Sequence, residues 1–204
     1  MTQEVFQETA TWFADTVSNV PPDRWNSPAL GIWSVRDLVG HVSRGLQLLP
    51  SMADPPAEAL ETESTSAFYA RLFDPAASLG DPTNVARMGK EFGQTLGDDP
   101  AATVRGIVDA AKAFVGGQPD DVLLRSPLGG MRLIDYLPTR ILEVTTHTLD
   151  LCTALAIEPS PPSRSMATTL GILADIAVIR GKGVPTLLSL AGRQSLPAGF
   201  TLML

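Results

Sequence analysis

Apolar residues return at steps of three and four along most of this chain, and prolines or paired glycines stop each run before the next begins. A stripe with a 3.6-residue period cannot sit as a strand, so the pattern commits the chain to helices packed on helices. Val5, Phe6, Thr9, Trp12, Phe13, Val17 and Val20 form the first stripe, and Pro21-Pro22 ends it. A loop carrying Trp25 and Ile32 follows. Ser34-x-x-Asp37 is then a capping-box variant, its carboxylate favourable near the positive helix end. The helix it opens buries Val35, Leu38, Val39, Val42, Leu46 and Leu49. His41 sits at the edge of that stripe, and Gly40 and Gly45 beside it leave room around the imidazole for another chain or a ligand.

Asp-Pro pairs at Asp54, Asp74, Asp81 and Asp99 break up the middle of the chain. Short helical pieces fit 57–73 and 84–96, so 54–98 reads as an excursion over the domain, a lid rather than a separate domain. Asp99-Pro100 starts a clearer helix, with Asp as N-cap and Pro in the first position. Val104, Ile107, Val108, Ala111, Phe114 and Val115 are its apolar face, and Gly116-Gly117 closes it. Segments 122–127 and 128–133 suit a short extended pair. A long helix spans 134–156 with Pro138 in its first turn. Further helices cover 164–179 and 185–191, and 200–204 is extended. The sum is a mostly all-α chain: one domain over 1–204, built as a four-helix bundle with extra short helices and a small extended C-terminal segment.

Composition narrows the function classes. With 44% apolar and 18% charged residues in 204, the chain reads as globular rather than disordered. A net charge of -7 gives a nucleic-acid partner little electrostatic support. No early segment joins a basic start to an apolar core, and the most apolar stretch, Leu170 to Ile179, is too short for a bilayer and contains Asp175. The lone Cys152 excludes an intramolecular disulfide and fits a reducing, cytoplasmic setting. The sequence leaves a homodimer open.

The chemistry concentrates in Glu143-Val144-Thr145-Thr146-His147. A four-residue step on a helix places Glu143 and His147 one above the other on one face, where a carboxylate and an imidazole can grip one ion. His41 is the other histidine of the chain. Two His and one Glu with an open fourth position is an established catalytic zinc set, so His41, Glu143 and His147 are the candidate ligands of one divalent metal. On spacing alone, an i,i+4 surface pair and a core histidine satisfy the same pattern. Asp150, three residues after His147, either orients its free ring nitrogen or lies exposed. Arg140 either holds Glu143 or a substrate anion, or makes a surface ion pair. Arg44, three after His41, has the same ambiguity as a weak cofactor-binding candidate. Cys152 is rotated about 140° from His147 and reads as a small buried hydrophobe. Trp12, Trp25 and Trp33 read as core and anchor.

Two stretches carry a family resemblance. Trp33-Ser34-Val35-Arg36-Asp37-Leu38-Val39-Gly40-His41 resembles the first signature of the mycothiol-dependent maleylpyruvate isomerase N-terminal family, within the DinB-like superfamily. Arg140 through Leu151 resembles its second, Arg-x-x-Glu-x-x-x-His-x-x-Asp-Leu. The ending, Leu190-Ala191-Gly192-Arg193 through Leu196-Pro197-Ala198-Gly199-Phe200, is also typical. The resemblance implies a four-helix bundle whose His41, Glu143 and His147 bind a divalent metal, commonly zinc. It further implies mycothiol as a thiol cosubstrate at the open position, and an electrophilic small-molecule substrate. Isomerisation and S-transfer both follow from such a thiolate. A metal-dependent hydrolase and a non-catalytic metal- or ligand-binding protein with a sensor or stress role stay open beside them.

Overall fold

In the computed structural model, which describes residues 1–74 and 82–203, the apolar stripes become helices that close into a ring. Helix α1 spans Thr2–Ser18, α2 Val35–Gln47, α6 Pro100–Gly117 and α7 Leu133–Leu155. Each packs on two of the others, in the order α1, α7, α2, α6 and back to α1. Phe6, Phe13, Leu38, Leu46, Val104, Val108, Leu137 and Ile141 lie at most 1% exposed in the shared core. This is the four-helix bundle that the periodicity predicts.

Local chemistry sets the ends of these helices. The Ser34 hydroxyl accepts from the Asp37 backbone N–H while the Asp37 carboxylate accepts from the Ser34 N–H, a complete capping box. The Asp99 carboxylate caps α6 by accepting from the Ala102 N–H. Ala156 ends α7 in the left-handed conformation at φ 55°. Strands β1, Leu123–Ser126, and β2, Gly129–Arg132, form an antiparallel hairpin over the segments expected to be extended. Helix α7 begins directly after β2, which places Pro138 inside the helix rather than in the first turn expected from the sequence. Its missing N–H removes one internal hydrogen bond there.

Shorter helices clothe the ring. They are α3 (Leu49–Met52), α4 (Thr65–Leu72), α5 (Pro82–Thr95), α8 (Ser163–Ile179) and α9 (Gly183–Leu190). Helices α4 and α5 come from the middle excursion, whose residues 75–81, between the Asp74 and Asp81 breaks, lie outside the described residues. Helix α5 runs against α2 backbone to backbone. A Cβ on Gly40 would stand 2.6 Å from the Gly93 Cα and 2.7 Å from the Gly89 carbonyl oxygen. Contact this close between main chains belongs to a fixed packing partner. The terminal stretch is also tied down: the Arg180 guanidinium donates to the Leu202 and Met203 carbonyls, and the Lys182 ammonium to that of Thr201. Leu204, the end of the expected extended stretch, lies outside the described residues.

The glycine contact makes a paired prediction. Gly40→Ala forces Cβ into the α5 backbone and costs about 1–3 kcal/mol or more. Gly106→Ala, on the open face of α6 where a Cβ meets nothing within 4 Å, stabilises by about 0.5–1 kcal/mol. Chemical denaturation of both variants checks the contrast; equal effects would remove the α2–α5 contact from the account.

Candidate metal centre

Helix α7 carries Glu143 and His147 one turn apart, and α2 brings His41 against them across the bundle. The His41 Nε2 lies 3.4 Å from the Glu143 Oε2, and the His147 Nε2 lies 3.6 Å from the same oxygen. One donor atom from each residue falls within 4.8 Å of the other two. Both contacts are long for N–H···O hydrogen bonds, whose usual length is about 2.9 Å. These two separations lie near those between the donors of a tetrahedral cation, about 3.3–3.6 Å for bonds of about 2.0–2.2 Å, and the third, between the imidazoles, is within 4.8 Å. Two imidazoles and one carboxylate brought this close are a donor set of the kind that holds a divalent metal.

The surroundings orient the donors. The His147 Nδ1 is 3.0 Å from the Asp150 Oδ2, so the Asp150 carboxylate fixes the ring and leaves Nε2 facing the cluster. The two imidazoles meet edge to face with ring centres 5.0 Å apart. Trp33, expected as an anchor of the core, stands in the site instead. Its ring centre is 4.8 Å from that of His41 and 6.2 Å from that of His147. Its Nε1 donates to the Ala86 carbonyl of α5 at 3.1 Å, which pins the indole over the imidazole. Gly89 keeps the position tight: a Cβ there would come within 3.2 Å of both the Trp33 ring and the His41 Cβ.

A cavity of about 580 Å³ opens on the cluster. Its walls are mostly apolar and come from several elements: Leu72 at the end of α4 and Phe73 just after it, Met88 on α5, Leu128 in the hairpin turn, and Met203 in the terminal stretch. Arg44 and Arg140 both line it. Arg140 makes no ion pair among the described residues; its guanidinium lies over the Tyr136 ring at 5.1 Å and its Nε donates to the Thr139 hydroxyl at 3.2 Å. The surface ion pair that the sequence allows is thus not formed. Gly45 leaves room for it, since a Cβ there would stand 3.0 Å from Arg140 Nη1. Cys152 is buried on another face, and burial pushes its thiol up. Tyr69, which sequence reasoning passed over, also lines the cavity.

The electrostatics follow from burial opposed by pairing. Burial pushes the Glu143 carboxyl up, but hydrogen bonds to His147 and His41 and the charge of Arg140 hold it well below the usual range. Burial pushes the His147 imidazole down, yet the hydrogen bonds to Asp150 and Glu143 outweigh it and raise it to about 9. Without metal, the folded state therefore holds the His147 proton more tightly than the unfolded chain. That stabilisation is fully present below about pH 6.5 and is lost as pH rises through about 9. Thermal melting in chelator is expected to fall over this window. Asp150→Asn, which removes one of the partners, flattens the fall; an unchanged slope would show that Asp150 does not hold the ring.

Comparison with protein families adds one match. The family described as "Mycothiol maleylpyruvate isomerase N-terminal domain" covers residues 6–152, from the first helix to two residues past Asp150 and including every residue of the cluster. Comparisons with curated proteins and with solved structures find no match. Among the described residues no helix is long and apolar enough to cross a membrane. The match takes in most of the chain, with both histidines and Glu143 inside it, and the chain belongs to the mycothiol maleylpyruvate isomerase N-terminal domain family.

Proposed function

We propose that His41, Glu143 and His147 hold a divalent metal, with zinc the first candidate from the family resemblance, in a thiol-dependent isomerase or S-transferase that uses mycothiol and an electrophilic small molecule. The observation that carries this reading is the convergence of three donors from two helices at the floor of a mostly apolar cavity. Zinc accepts two imidazoles and one carboxylate with a fourth position open. When bound, the cation supplies charge that favours thiolate over thiol near neutral pH.

The chain's own residues do the rest. Asp150 keeps the His147 Nδ1 engaged, so that Nε2 is free to point inward. Trp33 covers one side of His41 and limits water at the cluster. The cavity has the size of an ordinary small-molecule site, about 300–1,000 Å³, with room for an electrophile beside the thiol. Its apolar walls favour an organic substrate, which sets thiol addition to that substrate ahead of hydrolysis. A reducing cytoplasm, where a low-molecular-weight thiol stays reduced, is the setting this chemistry requires.

Elemental analysis of the purified protein is expected to find stoichiometric zinc or another divalent ion. His41→Ala and His147→Ala lose most of it, while Cys152→Ala keeps it. Unchanged metal content in both histidine variants would remove the centre. Mycothiol consumption with a panel of electrophiles then tests turnover: a protein that keeps its metal but never consumes thiol is the non-catalytic binder, not the enzyme.

A further inference from the structure

We propose that the outward face of α8 and α9 is a dimer interface, on which a second copy of this chain packs about a two-fold axis. The proposal is independent of the metal centre and of the reaction assigned to it.

A helix on a protein surface ordinarily buries one side and turns charged or polar residues outward. Helix α8 does the first: Ser165, Thr169, Ile172 and Ile176 are buried against the bundle. Its opposite side carries Ala167, Leu170, Gly171, Ala174 and Val178, all exposed, at steps of three and four and without a charge among them. The charged side chains within α8 are engaged beside this line. Arg164 pairs with Glu4 and Glu8 of α1, and Asp175 accepts from the Ser66 hydroxyl of α4.

Helix α9 goes further. Gly183–Leu190 contains no charged residue and no buried one, and it packs on α8. Eight residues are too few for a helix to hold itself in water, because most helical stability in proteins comes from burying an apolar face. Val184, Leu187 and Leu190 offer such a face and are 71%, 67% and 75% exposed. Val178 joins the two helices into one patch: a Cβ on Gly183 would meet its Cγ2 at 3.3 Å. Nothing among the described residues covers this patch.

Its size and its lack of charge point to a second copy. Leu170, Val178, Val184, Leu187 and Leu190 together present on the order of 500 Å² of apolar surface, near the upper end of the about 300–600 Å² that the largest patch of a monomer reaches. With Ile179 and the small residues of α8 added, the face approaches the roughly 800 Å² that each partner gives a standard interface. No charge on it selects a partner of opposite sign. For a chain of net charge -7, an uncharged patch is also where two copies meet with least repulsion. A two-fold interface requires a surface that fits itself. Here a leucine stands beside small residues. With the axis at Gly171, where a Cβ meets nothing within 4 Å, Leu170 of each copy lies over the Ala167, Gly171 and Ala174 line of the other.

Sedimentation equilibrium of the purified full chain tests the interface. At about 10 µM the protein is expected at twice the 21.6 kDa of one chain, since interfaces of this size hold at micromolar concentrations or below. Leu170→Glu combined with Leu187→Glu should return it to the mass of one chain, a rise of at least about a hundredfold in dissociation constant, with the circular dichroism of a folded helical protein retained. A second variant reads the geometry without adding charge. In a Cys152→Ala background, Gly171→Cys should form an intermolecular disulfide on mild oxidation, while Ser163→Cys, at the start of the same helix and far from the axis, should not. A monomer at this concentration overturns the proposal, including where the face proves to hold a different protein. So does a dimer that survives the double variant, or one that cross-links through Ser163→Cys and not through Gly171→Cys, because the copies then meet elsewhere.

Discussion

A carboxylate drawn out of bulk water has to be met by donors or by positive charge, and in this chain the requirement falls on Glu143. Imidazoles on two different helices meet it, one a turn further along α7 and one reached across the bundle on α2. The pairing therefore fixes more than a side chain. It holds α2 and α7 together at the level where the cavity opens, and it draws in the partners that keep each ring in place. Asp150 sets the orientation of His147, and Trp33, tied to α5, sets that of His41. A cation with three protein ligands satisfies the same electrostatic demand more fully than two long hydrogen bonds do.

The fold divides labour between its inner and outer helices. The donors sit on α2 and α7, which belong to the ring and share its core. The walls of the cavity come largely from elements added outside that ring: α4, α5, the hairpin turn and the terminal stretch. Geometry at the centre is thus secured by the best-packed part of the molecule. The shape that a ligand meets is set by these added segments, of which α5 is held to α2 by close contact at Gly89 and Gly93.

Much of this was legible beforehand, for identifiable reasons. The helix stripes were, because a 3.6-residue period survives any tertiary context that buries one face. The stacking of Glu143 on His147 follows from helix geometry alone, and the reach of His41 to them came from the family signature rather than from spacing. Trp33 and Tyr69 were not legible as site residues, because an aromatic near an apolar stripe looks the same whether it faces core or cavity. The close packing of α5 was missed although Gly89-Lys90-Glu91-Phe92-Gly93 carries a trace of it: glycines four apart share one helix face and open it to another backbone. Pro138 was misplaced because it is the sixth residue of α7, which starts at Leu133, and so lies past the first turn, where a proline is tolerated without loss of an internal hydrogen bond.

The terminal stretch is fastened through its main-chain carbonyls, which accept from Arg180 and Lys182, while the Met203 side chain is left to line the cavity. An attachment made by backbone groups is indifferent to which side chains the attached residues carry. Position 203 is therefore free to vary in size and polarity under selection for a new ligand, without loosening the strap that presents it. Divergence in ligand preference among chains of this architecture has an open route at that rim, without change to His41, Glu143 or His147.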